Sequence, residues 1–115
     1  MKNFKQLLIW QKGMDIVRLI YPIAKEMTKE DHYVFFSQII RAAISIPSNI
    51  AEGNSRRSPK ELYRYLEISL GSSFELETQL LILEELKIIY KDKINPIIEL
   101  IREEQKMING MMKKL

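Results

Sequence analysis

Apolar side chains recur every three or four residues along nearly the whole chain, and this helical period constrains the fold more than any other feature. At 100° per residue the pattern divides into four segments, residues 7–28, 30–54, 59–89 and 94–113. Four helices with short connections predict an all-α, antiparallel up-down four-helix bundle. The 115 residues are expected to form one domain, 1–115.

Local signals predict where the helices bend, begin and end. Pro22 should bend helix 1 or end its regular hydrogen bonding, and Pro47 should kink helix 2 near Ile44. Gly53 is the expected stop of helix 2, and residues 91–93 are the expected turn before helix 4. Helix 3 should begin with a serine cap, an N1 proline and an N3 acid, which are Ser58, Pro59 and Glu61.

The composition excludes several classes of protein. The chain has no cysteine, which excludes disulfides, a thiol nucleophile and a cysteine metal site. Its 46% hydrophobic content and mixed charge exclude a disordered chain, and a net charge of +3 permits a polyanionic partner without requiring one. The N-terminus lacks a signal-peptide pattern, and no stretch approaches a membrane span of uncharged apolar residues. We therefore expect a cytoplasmic protein without membrane contact.

Helices 1 and 3 carry more apolar surface than one bundle can cover. The apolar positions of helix 3 extend over more than half of its circumference, whereas a surface helix needs about 100°. A fully central helix would explain this, but a four-helix bundle has no central position. The excess surface therefore favours self-association into a cyclic homo-oligomer. The expected interface residues are Trp10, Met14, Tyr21, Tyr63, Leu70 and Phe74.

A polar stripe lies on one side of helix 2. It comprises Gln38, Arg41, Ser45, Ser48, Asn49 and Glu52. Its small hydroxyl and amide side chains form helix less readily than the Lys and Glu of a typical solvated face. Two interpretations stay open: a solvated face, or a polar seam packed against the small residues 71–73 of helix 3. In the second interpretation, Arg41 forms an ion pair with Glu75 or Glu77.

Basic residues cluster at the turn between helices 2 and 3. They are Arg56, Arg57, Lys60 and Arg64. The simpler interpretation is a solvated charged loop, because Glu61 and Glu67 lie nearby. The functional interpretation is an edge that contacts the phosphates of RNA or DNA, which a cyclic oligomer would repeat as a ring of charge.

Motifs for enzyme chemistry are missing. The single histidine, His32, is expected at the surface or in a helix cap, and one histidine without cysteine cannot build a usual zinc site. The chain has no glycine-rich phosphate loop, no His-Glu-x-x-His motif and no nucleophile elbow. We expect no catalytic residue, no cofactor and no metal.

Residues 41–53, which read Arg-Ala-Ala-Ile-Ser-Ile-Pro-Ser-Asn-Ile-Ala-Glu-Gly, carry a specific resemblance together with Trp-Gln-Lys at 10–12. These motifs, with matching segments at 66–79 and 108–115, resemble the signature of the 23S rRNA intervening-sequence protein family. Helix 1 departs from the family pattern at Gly13, where the family often has alanine, and at Pro22.

The resemblance implies a small bacterial four-helix bundle that assembles into a homopentamer, and the family motif names no catalytic residue. A related group, the accessory variability determinants of diversity-generating retroelements, binds nucleic acid and a reverse transcriptase through a basic pentamer surface. Two functions are therefore expected. The first is a non-enzymatic nucleic-acid-binding or scaffold protein. The alternative is a protein-interaction module that docks a partner such as a reverse transcriptase without touching nucleic acid.

Overall fold

The computed structural model describes residues 3–115, and every regular element in that range is helical. The four long helices are α1 (Leu8–Ile20), α2 (Lys29–Asn54), α3 (Pro59–Glu85) and α4 (Lys91–Lys113). α1 and α3 each pack against both α2 and α4, and α2 with α3 forms the most extensive pair. The predicted all-α fold with four helices is confirmed.

Two irregular segments interrupt the first half of the chain. α1 gives way to a 3₁₀ helix over Tyr21–Glu26, as Pro22 predicts, because its ring nitrogen cannot donate the α-helical hydrogen bond. α2 widens into a π-helix over His32–Phe36 and then continues as α-helix from Ser37 to Asn54, with Pro47 inside it. The π-helical turns let Phe36 reach the core while the ring of His32 stacks on it, with 4.7 Å between centroids.

The junction between α3 and α4 differs from the sequence prediction. α3 ends at Glu85 rather than at residue 89, and Lys87 adopts a left-handed φ of 58° in the turn that follows. The predicted turn at residues 91–93 is instead the first turn of α4, because the carbonyl of Tyr90 accepts from the backbone N–H groups of Lys93 and Ile94.

The core consists of branched aliphatic side chains at the predicted helical spacing. Its largest fully buried members are Ile16, Ile20, Ile39, Ile46, Ile50, Leu66, Leu76, Leu80, Leu83, Ile94, Ile101 and Ile108. All four helices contribute, and full burial of each such side chain is worth about 1.5–3 kcal/mol. The core therefore fixes one face of every helix and leaves the opposite faces for function.

Gly53 has a different role from the helix stop that the sequence predicts. α2 ends one residue later, and none of the glycines in residues 3–115 has a positive φ. A Cβ atom on Gly53 would lie only 2.7 Å from Cβ of Tyr65, so glycine permits the close approach of α2 and α3. Gly71, expected to allow a close approach, is exposed and has open space around it.

α2 is long and apolar enough to cross a membrane by length and composition, but Gln38, Arg41 and Asn49 interrupt its apolar residues, so it is not the uncharged apolar stretch that the sequence analysis looked for. A single helix of this kind is weak evidence for a membrane span, because the core helix of a soluble protein passes the same test. α2 contributes Ile39, Ile46 and Ile50 to the core of the bundle.

The Gly53→Ala substitution should lower the free energy of unfolding by about 1–3 kcal/mol, because Cβ of Tyr65 can retreat only if α3 moves. The matched Gly71→Ala substitution should instead raise it by up to about 1 kcal/mol, because it improves helix propensity in open space. Urea denaturation followed by circular dichroism measures both. Equal stability of the two variants would contradict the close approach at Gly53.

Candidate functional site

Arg56, one of the four basic residues predicted to contact phosphates, is already engaged within the protein. Its Nη2 donates to Oη of Tyr65 at 2.8 Å and to Oε1 of Glu52 at 3.3 Å. The guanidinium carbon lies 5.1 Å from the centroid of the Tyr65 ring. Arg56 therefore links the two helices on either side of the turn between α2 and α3, and Glu52 partly neutralises its charge.

Arg57, Lys60 and Arg64 are exposed and form no ion pair with any residue of the described range 3–115. Ser58 caps α3 as predicted, since its Oγ accepts from the backbone N–H groups of Lys60 and Glu61 at 3.1 and 3.3 Å. The three cations thus surround the N-terminus of a 27-residue helix, whose dipole adds positive potential there.

The polar stripe of α2 is divided between two environments, and its half-buried part faces α3. Oγ of Ser45 lies 2.7 Å from Oγ of Ser72, and Nδ2 of Asn49 donates to both the carbonyl and the hydroxyl of Ser45. Oγ of Ser69 donates to the carbonyl of Ile46 at 2.9 Å. These serine and asparagine side chains form a short hydrogen-bonded seam between the helices.

The rest of the stripe is exposed: Gln38, Arg41, Ser48 and Glu52. Arg41 makes no ion pair within residues 3–115, so the expected pair with Glu75 or Glu77 is wrong. Glu77 faces α4 instead, where Oε2 accepts from Nε and Nη2 of Arg102 at 3.2 and 3.1 Å and Oε1 accepts from Gln105 at 2.9 Å.

The six residues predicted for an oligomer interface differ in exposure. Tyr21, Tyr63 and Phe74 are exposed, whereas Trp10, Met14 and Leu70 are half-buried. Trp10 and Met14 line an apolar groove of about 330 Å³ between α1 and α2, here called the α1–α2 groove. Its other lining residues are Val17, Ile44, Pro47, Ser48 and Ala51. Ile44 stands at its rim with 48% of its surface exposed.

Glu104 of α4 is a fully buried acid that the sequence analysis missed. Neither carboxyl oxygen has a hydrogen-bond partner among the described residues. A Cβ atom on Gly13 would lie 3.2 Å from Oε2 of Glu104 and 3.2 Å from Cβ of Pro47. Because Gly13 has no side chain, the carboxyl group of Glu104 fits beside it, where α1 crosses α2.

Burial raises the pKa of Glu104 from its usual value of 4.5 to about 8, and the positive charge of Lys12 opposes this shift. Lys12 is itself held by Glu103, whose Oε1 lies 3.0 Å from Nζ. Glu104 follows Ile101 by three residues and precedes Ile108 by four, so it lies within the apolar arc of α4. That position was the available signal for its burial.

The chain matches the family model described as 23S rRNA-intervening sequence protein over residues 5–110, which include the seam, the basic turn and Glu104. The chain belongs to this family. A crystal structure of a protein with unknown function from the S23 ribosomal protein family of Bacteroides thetaiotaomicron VPI-5482 is similar to it, with a TM-score of 0.86. The two chains are 23% identical, and the match covers 92% of this chain and 99% of the other.

At that identity the likeness establishes the fold. A comparison with curated proteins finds no match. Within residues 3–115 of this intervening-sequence family protein, no group of three or more His, Asp or Glu side chains is placed to hold a metal ion. Glu104 has a perturbed pKa, but it is fully buried and does not line the α1–α2 groove, so a substrate cannot reach it in this conformation.

Glu104 should make stability fall as pH rises. Below 4.5 both the folded and the unfolded chain hold the proton, and between 4.5 and about 8 only the folded chain does, so rising pH favours unfolding. The free energy of unfolding, taken relative to Glu104→Gln, should fall by about 1.4 kcal/mol per pH unit in that window and stay level outside it.

Urea denaturation at several pH values measures this difference. The exposed Glu99→Gln variant is the control and should follow the wild type at each pH. A wild type whose pH profile runs parallel to that of Glu104→Gln would show that Glu104 is ionised in the folded protein.

Proposed function

We propose that this intervening-sequence family protein is a non-enzymatic nucleic-acid-binding protein that acts as a cyclic homo-oligomer of antiparallel up-down bundles in the cytoplasm. The single observation that carries the proposal is the set of unpaired cations at the N-terminus of α3: Arg57, Lys60 and Arg64. Cations that no internal acid neutralises are available to phosphate groups.

The antiparallel arrangement would bring further cations to the same end of the bundle. Two ion pairs support it: Lys12 near the start of α1 contacts Glu103 late in α4, and Glu26 after α1 contacts Lys93 at the start of α4. Glu103 lies ten residues before the end of α4 and Lys12 four residues after the start of α1, so at about 1.5 Å per residue the end of α4 extends about 9 Å past the start of α1. Lys113 and Lys114 would join the basic turn there.

The charge would therefore be concentrated at one end of a molecule 45 Å long. The cations at this basic end that form no ion pair with any of residues 3–115 are Lys5, Arg57, Lys60, Arg64, Lys113 and Lys114. Glu61 and Glu67 are the acids nearest to Lys60 and Arg64 in sequence, and Glu52 is held by Arg56. The opposite end mixes both signs, with Lys29, Lys87 and Lys91 beside acids such as Glu30, Asp92 and Glu85. Such a separation of charge steers one end toward a polyanion.

These side chains would hold phosphate groups without reading bases. Binding would then be independent of sequence and would weaken steeply with salt, because each neutralised phosphate releases counterions. One copy offers only a few contacts. A ring of copies multiplies them, because the second and later contacts are intramolecular.

Exposed apolar surface supports the oligomer. Only a third of the most apolar stretch of α2 is buried within one chain. Ile44 on α2 and Phe74 on α3 are each about half exposed, and Trp10 and Met14 line the concave α1–α2 groove. Large exposed apolar patches mark interfaces. A homopentamer is the assembly that the family resemblance implies.

A second candidate function is the docking of a protein partner such as a reverse transcriptase. The aromatic side chains of Tyr33 and Tyr90, which are 87% and 75% exposed, favour it. Both lie outside the basic turn and outside the expected oligomer interface. Aromatic residues are enriched at protein interfaces, so a partner bound there would stay bound when the basic residues are reversed.

Reversing Arg57, Lys60 and Arg64 to Glu should abolish binding to RNA at low salt, because the phosphate-contacting charge becomes negative. Fluorescence anisotropy with a labelled RNA hairpin and a single-stranded DNA measures the affinity. For the wild type, the logarithm of affinity should fall linearly with the logarithm of salt, by about 0.9 per phosphate contact on a duplex.

The matched control reverses Lys29, Lys87 and Lys91, which changes the net charge equally at the other end. It should keep most of the affinity. Lys60→Glu places an acid in the first turn of α3, which favours the helix dipole, and Arg57 and Arg64 are exposed, so the first variant should stay folded. If both variants lose binding equally, the loss of affinity is due to net charge and not to the basic turn. A wild type that binds neither the RNA hairpin nor the single-stranded DNA would overturn the proposal.

The Phe74→Lys substitution should dissociate the oligomer, because a charge placed in an apolar interface must be desolvated. The Tyr90→Lys substitution changes an exposed aromatic residue outside the expected interface and should leave the oligomer intact. Light scattering coupled to size exclusion gives the mass of both variants and of the wild type. A wild type with the 13.6 kDa mass of one chain would refute the ring and, with it, the multivalent binding edge.

A further inference from the structure

The carboxyl group of the buried acid Glu104 lies against Gly13, which in turn lies beside Pro47 of the apolar α1–α2 groove. A Cβ atom added to Gly13 would lie 3.2 Å from Oε2 of Glu104 and 3.2 Å from Cβ of Pro47, closer than ordinary van der Waals contact with either, and Pro47 lines the groove. Trp10 and Met14, which line the same groove, belong to the helical turns of α1 that contain Gly13. Any movement of α1 at Gly13 therefore changes the shape of the groove.

The surroundings of Glu104 suit a neutral carboxyl group and not an anion. From α1, Lys12 is the cation that acts on it, and Glu103 already holds that cation. From α2, the adjacent Pro47 offers neither charge nor an N–H group. From α3, Glu77 is turned to the other side of α4, toward Arg102 and Gln105. An ionised Glu104 would be a buried, unpaired charge unless Lys12 left Glu103 for it.

We propose that the protonation state of Glu104 regulates self-association by setting the position of α1 on α2. The neutral carboxyl lets α1 pack closely, which holds Trp10 and Met14 in the groove geometry that a second copy covers. Loss of the proton to solvent leaves a carboxylate that draws Lys12 or water inward, and α1 must move to admit either. This inference rests on the proposed self-association and adds its regulation.

Thermodynamic linkage gives the size of the effect. If the associated form holds the proton more tightly than the free chain by one pKa unit, association weakens by about tenfold per subunit once the pH exceeds both values. Lys12, with 22% of its side chain exposed, can reorient without unfolding the helix. The proposed regulation by protonation of Glu104 is therefore reversible and needs no covalent change.

Sedimentation velocity of the full chain at about pH 6 and about pH 9 tests the linkage. The dissociation constant of the wild-type oligomer should be about tenfold or more higher at the higher pH. Glu104→Gln should associate equally at both pH values, and the exposed control Glu99→Gln should follow the wild type. Association of the wild type that changes with pH no more than that of Glu104→Gln would overturn the inference.

A second readout does not depend on association when it is recorded on protein diluted until it is monomeric. Trp10 is the single tryptophan of the chain, so its fluorescence reports the groove and the adjoining contact with Phe4. Its emission should titrate near pH 8 in the wild type and not in Glu104→Gln. Lys12→Met removes the cation that favours the ionised form of Glu104, so the pH midpoint of the Trp10 titration should rise. This variant tests the proposal even if Glu104→Gln fails to fold.

The two readouts separate the possible failures. A monomeric wild type whose Trp10 emission still titrates would refute the proposed self-association while keeping the proton-linked movement of α1. Trp10 emission that stays constant between pH 6 and pH 9, or titrates identically in Glu104→Gln, would refute the movement whatever the oligomeric state.

Discussion

The close packing of α2 against α3 is the contact on which the other features depend. Gly53 lets the two backbones approach at Tyr65, and the hydroxyl groups of Ser45 and Ser72 meet farther along the pair. Tyr65 in turn holds Arg56 over the connecting turn. Because the turn is held from both helices, the capped start of α3 and its cations have a defined position relative to the core.

Unlike the contact between α2 and α3, Glu104 destabilises the core that surrounds it. A leucine or methionine of similar volume would add apolar burial there, whereas an unpaired acid must hold a proton to remain buried. Gly13 on α1 supplies the room, and helix propensity is lost at that position as well. Natural sequences tend to keep such local costs at sites that have a role, and a proton-linked movement of α1 would be such a role for Gly13 and Glu104.

Local interactions explain what the sequence could predict. The helical period located the four helices, Pro22 located the end of α1, and the serine cap located the start of α3, because each depends on neighbours within a few residues. The junction between α3 and α4 was a local miss, because α3 ends at Glu85 and α4 begins at Lys91, whereas the other misses are tertiary. Gly53 makes room for Tyr65 of another helix. Glu77 faces α4 because packing sets the rotation of α3 about its axis. The burial of Glu104 depends on a glycine in another helix. The free cations of the basic turn were predictable, but the engagement of Arg56 was not.

The contact between Gly13 and Glu104 ties together two positions far apart in the sequence. A methyl group at position 13 would press on both the carboxyl oxygen and the ring of Pro47, so a chain with alanine there has little room for a glutamate at position 104. The two sites should therefore change in concert across relatives: a bulkier residue at one would accompany a shorter or wholly apolar one at the other. Such paired exchange would divide the family into members with an ionisable interior and members without one.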